Sequence, residues 1–407
     1  MPAGAAGQAL SSPPVDGSDP EPQAVYPSER IAVEEPGAGD GEGGISQSSH
    51  SIGQHAVIEH RIPWSLDQPS GEPGDGTADR QSARGISGLL QPGVFNPFFV
   101  IWMIMAQAHL ESSKLFSVEG LVAVITGGGS GLGRTMALAL DANKASKVFI
   151  IGRREQALKE TAAAATNGTV IPVVGDVASK ESLQAAYDEV ASRTDHIDLL
   201  IANSGIISPM DPRTPDGSTP TLRELRDLLW SVPMEDFTRA SHVNVTGAYY
   251  TVLAFLPLLE AANEKRMAPV PGELSPPRPQ VILTSSVAGF SRLASFGTAY
   301  SLSKAAVNHL VKMLASRLAP YDIRVNGIAP GLYHTDMAAP MFAAHGVVGR
   351  GVTDGSLPRT MVPLTRGGSD QDLAGMILWM AGAAGGYLNG NIVVSDGGRL
   401  GSIPATY

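Results

Sequence analysis

Tyr300 and Lys304 stand four residues apart in the stretch Tyr300-Ser-Leu-Ser-Lys304. The surrounding pattern predicts a helix over 298–319. Residues i and i+4 share a helix face, so the phenol and the ammonium point to the same side. A phenol with an ordinary pKa of about 10 exchanges its proton poorly near neutrality. A neighbouring cation favours the phenolate and draws that pKa toward the working range. Such a pair can give a proton to a carbonyl oxygen, or take one from an alcohol, while a hydride moves at the carbon. Spacing alone does not decide the matter. The pattern arises near chance frequency, and an exposed pair on a helix face reads the same way.

Other residues supply the context. Leu283-Thr284-Ser285-Ser286 closes a predicted strand, which puts a hydroxyl where a substrate carbonyl can be polarised. No G-x-S-x-G elbow surrounds it, so a serine nucleophile is not expected. Thr126-Gly127-Gly128-Gly129-Ser130-Gly131-Leu132-Gly133 joins a predicted strand to a predicted helix. Glycines at 127, 131 and 133 allow a tight turn and a close approach of backbone to a pyrophosphate, which a helix N-terminus then holds with free N–H groups. The spacing is not G-x-G-x-x-G, and no Lys follows the last glycine as in a P-loop. About 20 residues further on, where an acid would meet an adenosine ribose, the chain reads Gly152-Arg153-Arg154. Arg153 can fork onto a 2′-phosphate, which favours NADP over NAD. Two solvated arginines at a helix start are the plainer alternative.

These groups need a scaffold to bring them together. Short runs rich in Val and Ile at 121–126, 147–151, 170–174, 197–202, 280–285, 323–328 and 391–395 predict strands buried on both faces. Helices are predicted between them at 132–143, 154–165, 180–193, 246–262, 298–319 and 369–383. The alternation predicts an α/β fold, a Rossmann-type doubly wound parallel sheet forming a single catalytic domain over 121–407. Three connections are long: 207–240, with the helical piece LRELRDLLW, the proline-rich 263–279, and 332–368. The last leaves the carboxyl end of the sixth strand and is expected to act as a substrate lid.

The remainder of the chain differs in composition. Of 39 acidic and 29 basic residues, 13 acidic and 4 basic fall in residues 1–90, so 91–407 carry only about −1 of the net −10. The acidity belongs to the first segment, and the rest shows no basic stripe for nucleic acid. Residues 1–94 are rich in Gly, Pro and Ser with few large apolar side chains, which predicts a disordered extension. Residues 95–120 form an apolar lead-in. Its run Phe98–Ala106 (FFVIWMIMA) is far shorter than the roughly 20 residues of a membrane span, so membrane contact is not expected and the run is read as packing on the body. An internal start at Met105 is a further reading, in which everything upstream is an artefact. The first residues resemble neither a transit peptide nor a secretory signal, and cysteine is absent, which fits a cytoplasmic setting. Without cysteine there is no disulfide, thiolate site or Cys nucleophile. His242, His309 and His334 have no ligand spacing, and no metal is expected.

Taken together, the motifs resemble the short-chain dehydrogenase/reductase family over about 121–398. Thr126 to Gly133, Ser130 and Leu132 included, is similar to its T-G-x-x-x-G-x-G loop. Asp176-Val177 resembles the segment whose Asp contacts adenine. Asn203-Ser204-Gly205 is similar to its N-A-G, with Ser204 in place of Ala, which steadies the sheet beside the cofactor. Asn244 resembles the Asn that holds a water relay to the Lys, and Ser286, Tyr300 and Lys304 complete that tetrad. Pro330-Gly331 and Thr335 resemble the P-G-x-x-x-T segment that touches the nicotinamide carboxamide. Ser395-Asp396-Gly397-Gly398 is similar to the closing D-G-G turn.

The resemblance implies that Lys304 also binds the nicotinamide ribose and that Ser286 bonds the substrate oxygen. It implies homo-oligomers built through the helices at 246–262 and 298–319. Ser286 lies 14 residues before Tyr300, slightly long for the family, and Ser285 would lengthen the gap further. The segment from Asn203 to Asn244 exceeds the family's by roughly 15 residues, as a functional long loop would. By overall appearance the chain is nearest to 3-oxoacyl-[acyl-carrier-protein] reductase-like members. The expected function is interconversion of a small-molecule carbonyl and a secondary alcohol with NADP, or with NAD. The alternative is a non-catalytic dinucleotide-binding or scaffold protein of the same fold. Phe290, Phe296, Met337, Met341, Phe342 and Trp230 are candidates for an apolar pocket, or else for core.

Overall fold

Val122–Thr126 (β1) reads VAVIT, and all five residues are buried. Branched side chains on both faces are what a central parallel strand requires. The computed structural model describes residues 110–207, 210–215, 217–266, 268, 276–347 and 349–407, all within the unit Arg84–Tyr407. The expectations for residues 1–94, Phe98–Ala106 and the Met105 start lie outside the described residues.

After β1 the chain forms Gly131–Ala142 (α1), Lys147–Gly152 (β2), Glu155–Ala163 (α2), Val170–Val174 (β3), Lys180–Ala191 (α3) and Leu199–Ala202 (β4). Leu222–Trp230 (α4), Met234–Ser241 (α5) and Ala248–Lys265 (α6) follow, then Gln280–Thr284 (β5) and Thr298–Leu318 (α7). Arg324–Pro330 (β6), Ala339–Ala344 (α8), Asp370–Ala381 (α9) and Ile392–Ser395 (β7) complete the order. The strands form one sheet in the order β3-β2-β1-β4-β5-β6-β7. Every pairing is parallel, so the fold is the expected doubly wound sheet. Its order reverses between β1 and β4, which opens a crevice at their carboxyl ends.

Each face of the sheet has its own core. Val124, Phe149, Leu200, Val281 and Val325 face α3, α6 and α7, while Ile125, Ile150, Ile201, Ile282 and Ile328 face α1, α2 and α9. Burying one such side chain stabilises the fold by about 1.5–3 kcal/mol. Ser179 caps α3 by accepting from Ser182 N, and Ser369 with Asp372 closes a capping box at α9.

All strand bounds fall within two residues of the sequence reading, and so does the start of α6, but the helical stretch leading into it was not expected. A π-helical turn, His242–Gly247, precedes it, and α5 runs into that turn without a break. Gly247 allows a close approach there: a Cβ would lie 3.0 Å from both Cγ2 and the carbonyl oxygen of Val177, a tight contact. The piece LRELRDLLW is α4, closed by a Thr221–Glu224 capping box and burying none of its residues.

Polar residues pin the amino ends of β5 and β6. Arg324 is 6 % exposed. Its Nη1 donates to Gln280 Oε1 and to the carbonyls of Gly385 and Leu388, each at 3.0 Å. Gln280 Nε2 donates to the Met380 carbonyl at 2.9 Å. Asn326 Nδ2 donates to Gln280 Oε1 at 2.7 Å and to the Leu388 carbonyl at 2.9 Å. The network ties α9 and the turn after it to the base of the sheet.

Candidate active site

The glycine loop is shaped by what approaches it. Gly127 has φ +71°, a left-handed backbone that glycine adopts without strain. A Cβ on Gly133 would lie 2.3 Å from the Gly127 carbonyl oxygen, so only glycine lets α1 start against the strand turn. Thr126 Oγ1 accepts from Asn203 N at 3.0 Å and from Ser204 N at 3.1 Å. Asn203 Nδ2 donates to the Thr126 carbonyl at 3.0 Å. These bonds clamp β1 to β4 at the switch point and leave the first N–H groups of α1 facing the crevice.

One cleft of about 430 Å³ runs over the carboxyl edge. It gathers Gly127, Ser130, Gly131, Leu132, Arg153, Asp176, Val177, Asn203, Ser204 and Gly205 on one side with Ser286, Tyr300, Lys304, Pro330, Gly331 and Thr335 on the other. Thr126, Gly133 and Asn244 stand behind this lining and support it. At the outer rim Arg153 Nη1 lies 3.9 Å from Asp176 Oδ2, both side chains solvated. Arg154, to which the sequence reading gave no separate role, lines the same rim and donates from Nη2 to Ser130 Oγ at 2.8 Å. Across the cleft, the Thr335 methyl lies 3.3 Å from where a Gly131 Cβ would stand.

The titratable pair sits deeper. Tyr300 and Lys304 are 7 % and 4 % exposed, within the first two turns of α7. Burial pushes the Tyr300 pKa above its usual value, and a hydrogen bond from Ser286 opposes it. Burial pushes Lys304 down to about 8. This differs from the expectation of a phenol pulled down by its neighbour. Lys304 Nζ donates to the Thr284 carbonyl at 2.8 Å and lies 5.7 Å from the centre of the Tyr300 ring. The ammonium is held beside the ring, and desolvation governs the phenol.

The two serines separate cleanly. Ser285 Oγ donates to the Lys304 carbonyl at 3.0 Å and so anchors α7 to β5. Ser286 accepts from Ala288 N at 3.1 Å and meets the Tyr300 phenol. Asn244, 2 % exposed, lies in the π-helical turn. Its Oδ1 accepts from Ile206 N at 2.8 Å, and its Nδ2 donates to the Ile206 carbonyl at 3.0 Å and to Ser303 Oγ at 2.9 Å. Asp211 caps the start of α7, accepting from Thr298 N at 3.0 Å and from Thr298 Oγ1 at 2.6 Å.

On the substrate side, Ile206, Ile207, Phe296, Leu332, Met337 and Ala338 line the cleft. Phe296 packs edge-on to Tyr300 at 6.1 Å between ring centres. Other apolar candidates lie elsewhere. Phe342 and Met341 belong to a small core inside the segment 332–368, with Leu332, Leu357 and Val362. Phe290 packs on Tyr407, and Trp230 is exposed on α4. That segment is clipped down by Arg350, whose two nitrogens reach the Asp370 oxygens at 2.7 and 3.0 Å, and by Arg366 on Asp372. Asp370 also accepts from Thr135 of α1 at 3.0 Å.

The donor set fits a pyrophosphate-bridged dinucleotide. Arginines and free N–H groups lie at one end, and a phenol with an ammonium at the other. Comparison with known proteins agrees. The family model for short chain dehydrogenases matches residues 121–346. Short-chain dehydrogenase/reductase PhomF of Diaporthe leptostromiformis is 43 % identical over 299 residues, covering 73 % of this chain and 97 % of the relative. The rhamnolipids biosynthesis 3-oxoacyl-[acyl-carrier-protein] reductase of Pseudomonas aeruginosa is more distant, 29 % identical over 284 residues, covering 70 % of this chain and 97 % of that protein. The solved Pseudomonas aeruginosa RhlG/NADP active-site complex superposes with a TM-score of 0.56 at 28 % identity, covering 70 % of this chain and 98 % of that one. The chain belongs to the short-chain dehydrogenase/reductase family, with that family's dinucleotide-binding fold.

Proposed function

We propose that the protein is an NADP-preferring oxidoreductase that interconverts a small-molecule carbonyl and a secondary alcohol. The observation that most supports this is the convergence of Ser286, Tyr300 and Lys304 on one end of the cleft, with Lys304 Nζ buried 5.7 Å from the centre of the Tyr300 ring. Bound in the cleft, a nicotinamide dinucleotide supplies or accepts the hydride. Ser286 and Tyr300 hold the substrate oxygen, and Tyr300 gives it a proton as the alcohol forms. Burial keeps Tyr300 in the phenol form, which suits the reductive direction. Lys304 stays mostly cationic at neutral pH and hydrogen-bonds the ribose. Both amide protons of Asn244 are engaged, so it meets a relay water through its backbone carbonyl or the second lone pair of Oδ1. Arg153 and Arg154 take the 2′-phosphate.

Tyr300→Phe is expected to lower kcat by about 10²–10⁴-fold with dinucleotide binding kept. Turnover near the unaltered level would sink the assignment. Binding of NADP with no oxidation or reduction across a broad panel would instead favour the non-catalytic reading. The panel includes a 3-oxoacyl thioester, because the resemblance to 3-oxoacyl-[acyl-carrier-protein] reductases is the finer proposal.

Residues 121–407 are proposed as the catalytic domain of a cytoplasmic protein, with 1–94 an extension that turnover does not need. Activity and membrane partition of a chain begun at Met105, set beside the full chain, test both points. Leu253 of α6 and Leu302 and Met313 of α7 are exposed, which supports association of copies through those helices. Light scattering of the purified chain checks it.

A further inference from the structure

Thr284 Oγ1 is buried and makes no hydrogen bond, in a residue only 8 % exposed. Along β5 the side chains alternate. Val281 and Leu283 join the core under α6 and α7, and Ile282 joins the one under α1 and α9. Thr284 follows Ile282 onto that second face, at the carboxyl edge, paired with Ile328 of β6. It lines the cleft. Its own carbonyl is already held by Lys304 Nζ at 2.8 Å. Three other buried polar atoms are unpartnered among the described residues, on Asn263, Ser301 and Asn308. All three belong to helices α6 and α7 and none lines the cleft.

A buried hydroxyl without a partner destabilises a fold, and valine would fill the same volume without that penalty. The hydroxyl therefore stands where something else completes it. Arg153 and the glycine loop take the far end of the cleft over β1 and β2, whereas Thr284 adjoins Lys304 and the Tyr300 end. We propose that Thr284 Oγ1 is a hydrogen-bonding ligand for the nicotinamide end of the dinucleotide, a positioning residue that stays unpaired until that end is seated. The inference rests on the dinucleotide reading above.

The test compares Thr284→Val with Thr284→Ser in the full chain. Three quantities are measured: melting temperature without dinucleotide, affinity for NADP, and affinity for adenosine 2′,5′-bisphosphate, which carries the adenine end alone. Thr284→Val is expected to melt no lower than the unaltered chain and to bind NADP roughly three- to tenfold more weakly. Its affinity for the bisphosphate stays unchanged, and Thr284→Ser keeps the NADP affinity. NADP binding by Thr284→Val equal to that of the unaltered chain overturns the proposal. So does an equal loss for the bisphosphate, which would mean a general disturbance of the cleft. If the unaltered chain binds neither NADP nor NAD, the parent reading falls and this one with it.

Discussion

The two ends of β5 and β6 carry buried polar groups of similar kind and treat them in opposite ways. At the amino ends, Arg324, Gln280 and Asn326 satisfy one another and the carbonyls of Arg278, Met380, Gly385 and Leu388. At the carboxyl ends, Lys304 is desolvated with its pKa pushed down to about 8, Tyr300 is pushed up, and Thr284 Oγ1 has no partner. One end of the same strands has its polar groups paired within the folded chain, and the other leaves Thr284 Oγ1 unpaired, for the dinucleotide to complete on the proposal above. Buried polar networks rigidify when complete and are costly when incomplete. Burial pushes both cations down, Arg324 to about 10 and Lys304 to about 8. The several hydrogen bonds of Arg324 offset that cost, whereas Lys304 has one, to the Thr284 carbonyl.

The comparison breaks most sharply on replacing each cation with methionine. Arg324→Met leaves the Arg278 carbonyl without its donor, takes one of two donors from each of the Gly385 and Leu388 carbonyls, and is expected to destabilise the chain by about 4 kcal/mol. Chemical denaturation measures this, and a stability equal to that of the unaltered chain would refute the contrast.

Lys304→Met is expected to change stability in the other direction. A fall from 10.5 to about 8 corresponds to about 3 kcal/mol of burial penalty. The sign follows from proton counts. Between pH 8 and 10.5 the unfolded chain holds more protons than the folded one, so stability rises with pH through that window. The full penalty acts below pH 8. Lys304→Met should thus be the more stable protein at pH 7, with the gap closing above pH 10.5, and turnover lost throughout. Denaturation curves at pH 7 and pH 10.5 decide it, and a destabilised variant at pH 7 would count against the reading.

The smallest effect lies at the outer rim. Arg153→Ala is expected to weaken NADP binding by about tenfold, in line with loss of one charge-assisted contact, and to leave NAD nearly unchanged. Equal losses for both dinucleotides would remove Arg153 from the choice between them.

Much of the scaffold was legible because it depends on patterns the chain displays openly. Seven short runs of branched residues gave seven strands, since a strand covered on both faces is mostly apolar. The glycine loop was legible because its spacing has a steric cause. Other features left no such mark. Met234–Ser241 has acids in its first turn and one buried residue, Ala240, so no apolar stripe announces α5, and the π-helical turn that presents Asn244 follows from it. Gln280 and Arg324 read as ordinary strand-end residues until the strands pair. The orphan hydroxyl of Thr284 is a statement about missing neighbours, which no local sequence records. Phe342 and Met341 were candidates for the cleft, yet they face Leu357 and Val362. The difference depends on how 332–368 folds back on itself.

That segment carries a lesson of its own. Leu332, Phe342, Leu357 and Val362 form a core shared with neither face of the sheet. Two Arg–Asp clips, at Arg350 and Arg366, tie it to α9, and Tyr333 at its start packs into the core that α9 shares with the sheet. A piece with its own interior can change its inner wall without disturbing the packing of the strands. Beyond Tyr333 this wall of the cleft is therefore a module, able to change its lining as one block while the packing of α7 stays untouched.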